Sequence, residues 1–297
     1  MKILITGANG LISRKAIRLL SQGKDHQLFA TSQKRLNFPP EVNFFTVNLV
    51  YSDLNQLIDT IRPEVLIHCA AMASPDACEV DRYSCNKINV EVTARLASAC
   101  RDYGVHMIFL STDFVFDGLK GDYTETDTPS PISYYGESKI EAENSIIGLN
   151  TGATIVRTSL VYGHDENLSR QNLVLRVIDN LQKGKPYRLP TDQLRAPTDV
   201  NDLASALKTF TEKKIGGVFN IVGAQKLSVF DFARQIAAVF GYNESLLIPI
   251  SASELDEPAK RPLNSSLDIT KAKNIIGYKP TPLIDSLKNL KQELLDF

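Results

Sequence analysis

Short apolar segments alternate with helix-like segments along the first half of the chain, and this alternation limits the fold more than any other feature. The predicted strands, each rich in β-branched or other apolar residues, are Lys2–Thr6, Gln27–Thr31, Asn43–Asn48, Glu64–Cys69, His106–Ser111 and Ala153–Thr158. Strands that alternate with helices of about 10–15 residues form right-handed βαβ crossovers. The sequence therefore predicts an α/β fold with a Rossmann-type, doubly wound parallel sheet.

The length and the loss of regular alternation after residue 160 predict two domains. The chain has 297 residues, about twice the ~150 residues of an average domain. We expect residues 1–160 to form the Rossmann domain, with parts of 190–225 returning to it. We expect residues 161–297 to form mainly a smaller C-terminal α/β substrate domain, with a ligand crevice between the two.

The composition argues against several classes of function. Lys plus Arg number 33 and Asp plus Glu 34, so a net charge of −1 gives no general attraction to nucleic-acid phosphates. No segment reaches the ~18 apolar residues of a membrane span, and the N-terminal apolar run is too short for a signal peptide. The four cysteines and four histidines fit no metal-binding spacing. We expect a cytoplasmic protein with no metal, no nucleic-acid partner and no membrane partner.

A glycine-containing loop follows the first strand directly and opens a helix, with the sequence TGANGLIS over Thr6–Ser13. Glycines let the backbone approach a pyrophosphate, and the helix N-terminus offers free N–H groups and partial positive charge. Ser13 replaces the third glycine of the usual pattern, the one that serves close packing of helix and strand. The residues expected to contact a dinucleotide here are Gly7, Asn9, Gly10, Leu11 and Ile12.

The residues after the second predicted strand indicate which dinucleotide binds. NAD-binding loops usually place a carboxylate here for the ribose 2′-hydroxyl. This chain instead has Ser32, Lys34 and Arg35, a hydroxyl and two cations that suit a 2′-phosphate. The pattern favours NADP(H) over NAD(H). The alternative is that Lys34 and Arg35 are ordinary solvated loop charges.

Three side chains form a candidate catalytic group. Tyr135 and Lys139 are four residues apart near a predicted helix start, so they share one helix face, whereas Tyr134 points elsewhere. A nearby ammonium favours the phenolate and lowers the pKa of a tyrosine. Thr112 follows a buried strand, at the sheet edge where ligands of open α/β sheets bind. Alone, the Tyr–Lys spacing is common by chance and Thr112 could be a turn residue.

The order of seven motifs strengthens this interpretation. They span almost the whole chain: TGANG (Thr6–Gly10), HCAA (His68–Ala71), STDFVFDG (Ser111–Gly118), YYGESK (Tyr134–Lys139), VRTSLVYG (Val156–Gly163), RAPTDVNDLA (Arg195–Ala204) and AKRPLNSSLD (Ala259–Asp268). The chain resembles the extended short-chain dehydrogenase/reductases, and among them the dTDP-4-dehydrorhamnose reductase family. That family's relatives include the regulatory β subunit of methionine adenosyltransferase.

The resemblance implies an oxidoreductase in which NADPH delivers a hydride to the C4 carbonyl of a nucleotide-linked 4-keto-6-deoxysugar. By the same resemblance Tyr135 protonates the developing alkoxide, Lys139 lowers the tyrosine pKa and binds the nicotinamide ribose, and Thr112 polarises the carbonyl. Asn89 either extends a proton relay or is an ordinary polar helix residue.

Further binding residues are implied by the resemblance alone. On the cofactor side they are Asn48, Leu49, Cys69, Ala70 and Ala71. On the substrate side they are Met72, Ser74, Asp113, Phe114, Leu160, Arg195, Arg261 and Asn264. For Arg261 a structural salt bridge is an equal alternative.

Two departures from the family pattern leave the substrate open, because Phe114 and Leu160 stand where the reductases usually have tyrosine and tryptophan. A third departure concerns the cofactor: Asn48 replaces an aspartate near the adenine, where an amide can still bond an exocyclic amine. A hydrogen-bonding or stacking group lost from a pocket shifts selectivity by ~1–3 kcal/mol.

Two alternative functions therefore stay open. One is another enzyme of the same fold, such as a nucleotide-sugar epimerase or an aldehyde or ketone reductase. The other is a non-catalytic NADP-binding regulatory subunit. The helices predicted at Ser84–Tyr103 and Ser133–Leu149 resemble the pair that forms a homodimer interface in many relatives, while closer relatives dimerise differently or stay monomeric.

Overall fold

A computed structural model describes residues 1–23, 25–35, 38–166, 168 and 171–295. The predicted second domain, 161–297, thus includes a few positions outside the described residues. The strands are β1 (Lys2–Thr6), β2 (Gln27–Ser32), β3 (Val42–Thr46), β4 (Val65–His68), β5 (His106–Thr112), β6 (Thr154–Thr158), β7 (Val161–Tyr162), β8 (Tyr187–Pro190), β9 (Leu194–Arg195), β10 (Thr198–Asp199), β11 (Gly217–Asn220), β12 (Leu227–Ser228) and β13 (Leu247–Ile250).

The helices that connect these strands follow the predicted alternation through β6. They are α1 (Leu11–Ser21), α2 (Leu54–Ile61), α3 (Pro75–Val80), α4 (Arg82–Cys85), α5 (Val92–Tyr103), α6 (Tyr134–Gly148), α7 (Leu173–Gln182), α8 (Val200–Lys213), α9 (Val229–Phe240), α10 (Thr270–Ile276) and α11 (Leu283–Leu295). Within the described residues, no helix is long and apolar enough to cross a membrane.

The central sheet confirms the predicted fold class. Seven strands lie in the order β11-β6-β5-β4-β1-β2-β3, and every neighbouring pair is parallel. The strand order reverses between β1 and β4. This is the switch point of a doubly wound sheet, where the crevice beyond the carboxyl ends of the strands receives ligands.

Alternating side chains of the strands fill two apolar layers, one on each face of the sheet. In β1, Ile3 and Ile5 pack in the layer that contains residues of α1 and α8, whereas Leu4 packs in the layer that contains residues of α2, α5 and α6. Successive strand residues point to opposite faces, so an apolar run such as that of β1 is buried on both sides.

A third apolar cluster lies apart from these two layers. It joins residues of α7, α9 and α11 with Leu189 of β8 and Leu247 of β13. The chain segments that form this cluster are not continuous in sequence. Between α7 and α9 the chain returns to the central sheet, where β11 pairs with β6. The exact domain boundary stays a prediction.

The segment predicted as one long helix at Ser84–Tyr103 differs in detail. The helical path begins at Arg82, where Asp81 caps α4, and passes through a π-helical segment at Asn86–Glu91 before α5. A π segment inside a helix often occurs at a functional site, because the extra residue per turn shifts which side chains face inward. Here the shift brings Asn89, 1% exposed, into the interior.

Candidate active site

The loop after β1 approaches the backbone beyond β4 too closely for any side chain at Gly7. Gly7 adopts φ +69°, and a Cβ there would lie 2.6 Å from Ala70 N. Gly10 N donates to Gly7 O at 2.9 Å, and Gly10 is the N-cap of α1, so Leu11 and Ile12 form the first helical turn. The loop thus presents backbone N–H groups beside Cys69, Ala70 and Ala71, as a dinucleotide requires.

Several buried polar atoms around this loop have no hydrogen-bond partner among the described residues. They are Asn9 Oδ1, Ser13 Oγ, Arg14 Nη1 and Thr31 Oγ1. Buried polar atoms normally have partners, and unpaired ones are costly unless a ligand or water supplies the bond. This set of donors and acceptors, next to a close-approach glycine loop, fits a bound dinucleotide.

The predicted 2′-phosphate residues lie beside the glycine loop. Asn9 Nδ2 donates to Lys34 O at 3.1 Å, and Ser32 Oγ donates to the same carbonyl at 2.5 Å. The side chains of Lys34 and Arg35 are exposed. The structure therefore places both cations at the edge of the loop, with their roles toward a phosphate still a prediction.

The predicted adenine side is held by an arginine that sequence reasoning missed. Asn48 Oδ1 accepts from Val50 N at 3.1 Å, which forms a tight turn, and Leu49 is buried. Arg95 of α5 donates to the carbonyls of Leu49, Val50 and Ser52. Its position on a helix, over forty residues from this turn, gives no sequence signal for the contact.

Thr112 and Asp113 end β5 at the predicted sheet edge. Thr112 Oγ1 donates to Asp113 Oδ1 at 3.2 Å and accepts from Phe114 N at 3.2 Å. Asp113 is 2% exposed, and its carboxylate also accepts from the hydroxyls of Ser159 and Ser265. Burial raises the pKa of Asp113, while Arg195 and these hydroxyls oppose the rise. Asp113 thus fixes the orientation of the Thr112 hydroxyl by accepting its hydrogen bond.

Tyr135 lies within α6, whose N-cap is Ser133, and packs edge-on against Phe114 with ring centroids 5.9 Å apart. Burial raises the pKa of Tyr135 well above its usual value, and a hydrogen bond with Thr112 opposes the rise. Burial of the phenol is the largest effect on this pKa, and the predicted lowering by Lys139 stays a prediction. Tyr135 is protonated at neutral pH, which is the state a proton donor needs.

Lys139 lies one turn further along α6 and is buried. Its Nζ donates to Leu110 O at 2.6 Å and lies 3.9 Å from the ring centroid of Phe109. Burial lowers the pKa of Lys139 to about 8, and the nearby charge of Glu143 opposes this. The predicted catalytic residues Thr112, Tyr135 and Lys139 are thus brought to one place.

Asn89 connects this place with the segment after β4. Its Oδ1 accepts from Met72 N at 2.8 Å, and its Nδ2 donates to Met72 O at 3.2 Å and to Ser138 Oγ at 3.1 Å. Ser138 Oγ in turn donates to Tyr135 O. Asn89 therefore holds Met72 in position, and a proton relay through it stays a prediction.

His68 links β1, β4 and the π segment in a chain of hydrogen bonds. Thr93 Oγ1 donates to Asn89 O at 2.7 Å, so His68 Nε2 must donate to Thr93 Oγ1 and His68 Nδ1 must accept from Thr6 Oγ1. Burial, and then the charge of Lys139, lower the pKa of His68 to about 3. The network needs the neutral ring.

This pKa predicts a loss of stability in acid. Between pH 6.5 and about 3, His68 is protonated in the unfolded chain but neutral in the folded protein. The contribution of His68 to the free energy of unfolding is therefore fully present above pH 6.5 and decreases as the pH falls. The slope contributed by one such group approaches 1.4 kcal/mol per pH unit. We expect His68→Gln to be less stable at pH 7 but to have a shallower slope in urea unfolding between pH 4 and 6.5. Parallel slopes for the two proteins would contradict the assignment.

Among the predicted substrate residues, Arg195 and Phe114 adjoin the catalytic group. Arg195 is buried, and its guanidinium lies over the Phe114 ring at 5.6 Å. It donates to Pro262 O at 2.7 Å and to Leu263 O, and its Nε lies 3.8 Å from Asp113 Oδ2. Arg195 thus fastens the C-terminal segment to the end of β5.

The remaining substrate residues have structural partners. Arg261 forms ion pairs with Asp76 at 2.7 Å and Glu257 at 2.8 Å, as the salt-bridge alternative anticipated. Asn264 Oδ1 accepts from Ser266 Oγ, and Ser74 is the N-cap of α3. These contacts leave their substrate roles as predictions.

Leu160 has a left-handed backbone, with φ 42°. This conformation is strained for a residue with a Cβ, and such strain clusters at functional sites.

Sequence reasoning also missed a cluster of charged residues that fixes helix α1 in place. Asp165 is buried and forms ion pairs with Arg14 at 2.5 Å and Arg18 at 3.0 Å. Arg14 also stacks over Phe38 at 5.3 Å. The one sequence signal for this cluster is the position of Arg14 in α1, the helix that begins at the glycine loop. Its partner lies 151 residues away.

The sequence and the fold are both similar to those of known proteins. Residues 1–295 match the model of a protein family described as RmlD substrate binding domain. The chain is 32% identical to methionine adenosyltransferase 2 subunit beta of Mus musculus, over 97% of this chain and 86% of the relative.

Two solved structures are also similar. A dTDP-4-dehydrorhamnose reductase of Clostridium acetobutylicum is 31% identical with a TM-score of 0.87, and all of both chains is covered. A dTDP-4-dehydrorhamnose reductase of Bacillus anthracis, solved in complex with NADP, is 27% identical with a TM-score of 0.83 and covers 98% of this chain and 99% of its own.

Proposed function

The chain belongs to the family described as RmlD substrate binding domain, and from this membership we propose that it is an NADPH-dependent reductase of a nucleotide-activated 4-keto-6-deoxysugar. The observation that carries the proposal is the meeting of Thr112, Tyr135 and Lys139 beyond the carboxyl end of β5, at the same edge of the sheet as the glycine loop after β1. The similarity to dTDP-4-dehydrorhamnose reductases supports the sugar class, and the NADP complex of one of them supports the cofactor.

The cofactor would be held by the glycine loop, by the unpaired atoms of Asn9, Arg14 and Thr31, and by the cations Lys34 and Arg35. When bound, its dihydronicotinamide supplies a hydride to the carbonyl carbon. The backbone of Ala70 lies directly against Gly7 of this loop, where a Cβ would come within 2.6 Å of Ala70 N.

The chain's own residues complete the reduction. In our proposal the Thr112 hydroxyl turns from Asp113 to donate to the substrate carbonyl, which stabilises negative charge on its oxygen. The protonated Tyr135 then donates its phenolic proton to that oxygen. Lys139, held by Leu110 O, stabilises the resulting phenolate by its charge. Phe114 and Arg195 would form the apolar and charged walls of the sugar pocket.

The proposal is tested by NADPH absorbance with purified protein and dTDP-4-keto-6-deoxymannose generated in place. We expect oxidation of NADPH that depends on the sugar. Binding of NADPH without oxidation, with this sugar and its UDP and GDP counterparts, would reject the reductase assignment.

A second candidate function has its own support in the mouse relative, a subunit of a methionine adenosyltransferase. On this alternative the chain is an NADP-binding regulatory subunit. It predicts co-elution with a methionine adenosyltransferase catalytic subunit in size-exclusion chromatography and no sugar-dependent oxidation. The reductase proposal predicts the reverse.

The cofactor preference can be tested with the cations after β2. We expect Lys34→Ala/Arg35→Ala to raise the Kd for NADPH at least about tenfold, or about 1.4 kcal/mol, while the Kd for NADH changes little. The control Lys183→Ala/Lys185→Ala removes the same charge from exposed positions after α7. Equal weakening for both cofactors would show that the two cations do not recognise the 2′-phosphate.

A further inference from the structure

A buried carboxylate lies one helical turn beyond Lys139, outside the group described above. Glu143 is 1% exposed and shares a face of α6 with Lys139, because the two are four residues apart. A buried carboxylate is costly unless it is paired and hydrogen-bonded, so its partners indicate what it does.

Both oxygens of Glu143 are taken by residues of the sheet. Oε1 accepts from Ser111 Oγ at 2.5 Å and from Arg157 Nε at 3.1 Å, and Oε2 accepts from Arg157 Nη2 at 2.6 Å. Arg157 of β6 is 3% exposed and stacks over Phe116. Two parallel bonds from one guanidinium fix a carboxylate in direction as well as in place.

Lys139 does not bond this carboxylate directly. Lys139 Nζ donates instead to Leu110 O at 2.6 Å, and no ion pair within 4.0 Å joins it to Glu143 in the described residues. A direct salt bridge would draw Nζ along the helix, away from Tyr135. Without a direct bond, Glu143 affects Lys139 through its charge alone. The N–H donors of the ammonium that are not bonded to Leu110 O then stay available to a ligand.

Few of the titratable groups near Lys139 carry negative charge. The groups are Tyr135 and Glu143 on α6, neutral His68 on β4, and the thiols of Cys69, Cys78 and Cys85, while Arg157 of β6 is the ion-pair partner of Glu143. Glu143 is the carboxylate of this set. Because burial alone disfavours an ammonium, the carboxylate offsets part of that cost.

We propose that Glu143 is a positioning residue, which Arg157 and Ser111 orient so that its charge keeps Lys139 protonated without a direct salt bridge. The inference rests on the proposed function, since the protonated Lys139 matters to turnover only if Tyr135 donates a proton. It assigns one buried cluster of β5, β6 and α6 to the support of the catalytic lysine.

The direct test is the titration of Lys139 by NMR of protein labelled with ¹³C at lysine Cε, with Lys139→Met to assign the signal. Wild-type Lys139 should titrate near pH 8. In Glu143→Gln we expect this pKa to fall by about one to three units, the usual effect of a lost neighbouring opposite charge. An unchanged pKa would overturn the proposal whether or not the protein reduces a sugar.

Two further variants separate charge from folding. Glu143→Gln leaves Arg157 buried and unpaired, so Glu143→Gln/Arg157→Met, which removes both charges, is the variant that should fold. Because it also lacks the Arg157 cation, its Lys139 pKa should lie between those of wild type and Glu143→Gln. Glu141→Gln, on the exposed side of the same helix, should titrate as wild type. A folded Glu143→Gln protein whose Lys139 pKa equals the wild-type value would mean that Glu143 has only a structural role.

The pH dependence of turnover gives a second measurement. The alkaline limb of kcat should move to lower pH in Glu143→Gln by the amount measured for Lys139, because the ammonium is lost earlier. If wild type has no turnover, the reductase proposal fails while the titration still decides the role of Glu143. If the Lys139 pKa falls in Glu143→Gln but the alkaline limb of kcat stays at the wild-type pH, the proposed link between Glu143 and catalysis is wrong.

Discussion

Tyr135→Phe should slow sugar reduction by about 10²–10⁴-fold while the Kd for NADPH stays nearly constant. The change removes only the phenolic oxygen, and general acid catalysis contributes about this much. The ring keeps its packing against Phe114, so the fold has no reason to change. The measurement is kcat at saturating NADPH, paired with NADPH binding by fluorescence in the same preparation.

The neighbouring tyrosine provides a matched control for this experiment. Tyr134 also lies in the first turn of α6, but its ring packs under Arg82 at 4.9 Å rather than against Phe114. Tyr134→Phe should therefore keep wild-type kcat. Equal rates for Tyr135→Phe and wild type would remove Tyr135 from the mechanism, and equal losses in both variants would indicate a general effect of this turn.

Gly7→Ala should abolish measurable NADPH binding and lower the free energy of unfolding. The left-handed backbone at φ +69° and a Cβ only 2.6 Å from Ala70 N leave no room for a side chain. Backbone strain and overpacking each cost about 1–3 kcal/mol, so we expect a total of about 2–6 kcal/mol. Urea unfolding and NADPH fluorescence measure the two effects separately.

Gly148 is the matched control for that substitution. It is the last residue of α6, and a Cβ there would meet no atom within 4 Å. Gly148→Ala should therefore keep NADPH binding and leave stability unchanged or slightly higher, because alanine favours a helix. If Gly7→Ala bound NADPH as wild type does, the loop after β1 would not be the cofactor site.

Local sequence patterns predicted the parallel sheet and the catalytic group because their causes are local. The apolar run of β1 is buried on both faces, as expected for a strand inside a parallel sheet. Tyr135 and Lys139 lie on one helix, so their spacing alone fixes their shared face. Thr112 ends a strand, and all parallel strands of one sheet end at one edge.

Contacts between distant parts of the chain could not be predicted in this way. Arg261 meets Asp76 across 185 residues, and no pattern in the sequence pairs them. The π segment that turns Asn89 inward depends on packing rather than on helix propensity. The pKa of Tyr135 is set first by burial, which exists only once the chain has folded.

The central claim, hydride transfer to C4 of a nucleotide-linked ketosugar, is tested most directly by isotope transfer. The protein is incubated with dTDP-4-keto-6-deoxymannose and NADPH that carries deuterium at both C4 positions of the nicotinamide ring, and the sugar product is examined by mass spectrometry and proton NMR. The account predicts deuterium at sugar C4 in wild type and about 10²–10⁴-fold slower incorporation in Tyr135→Phe. Sugar product without deuterium at C4, or no product from a protein that binds NADPH, would contradict it.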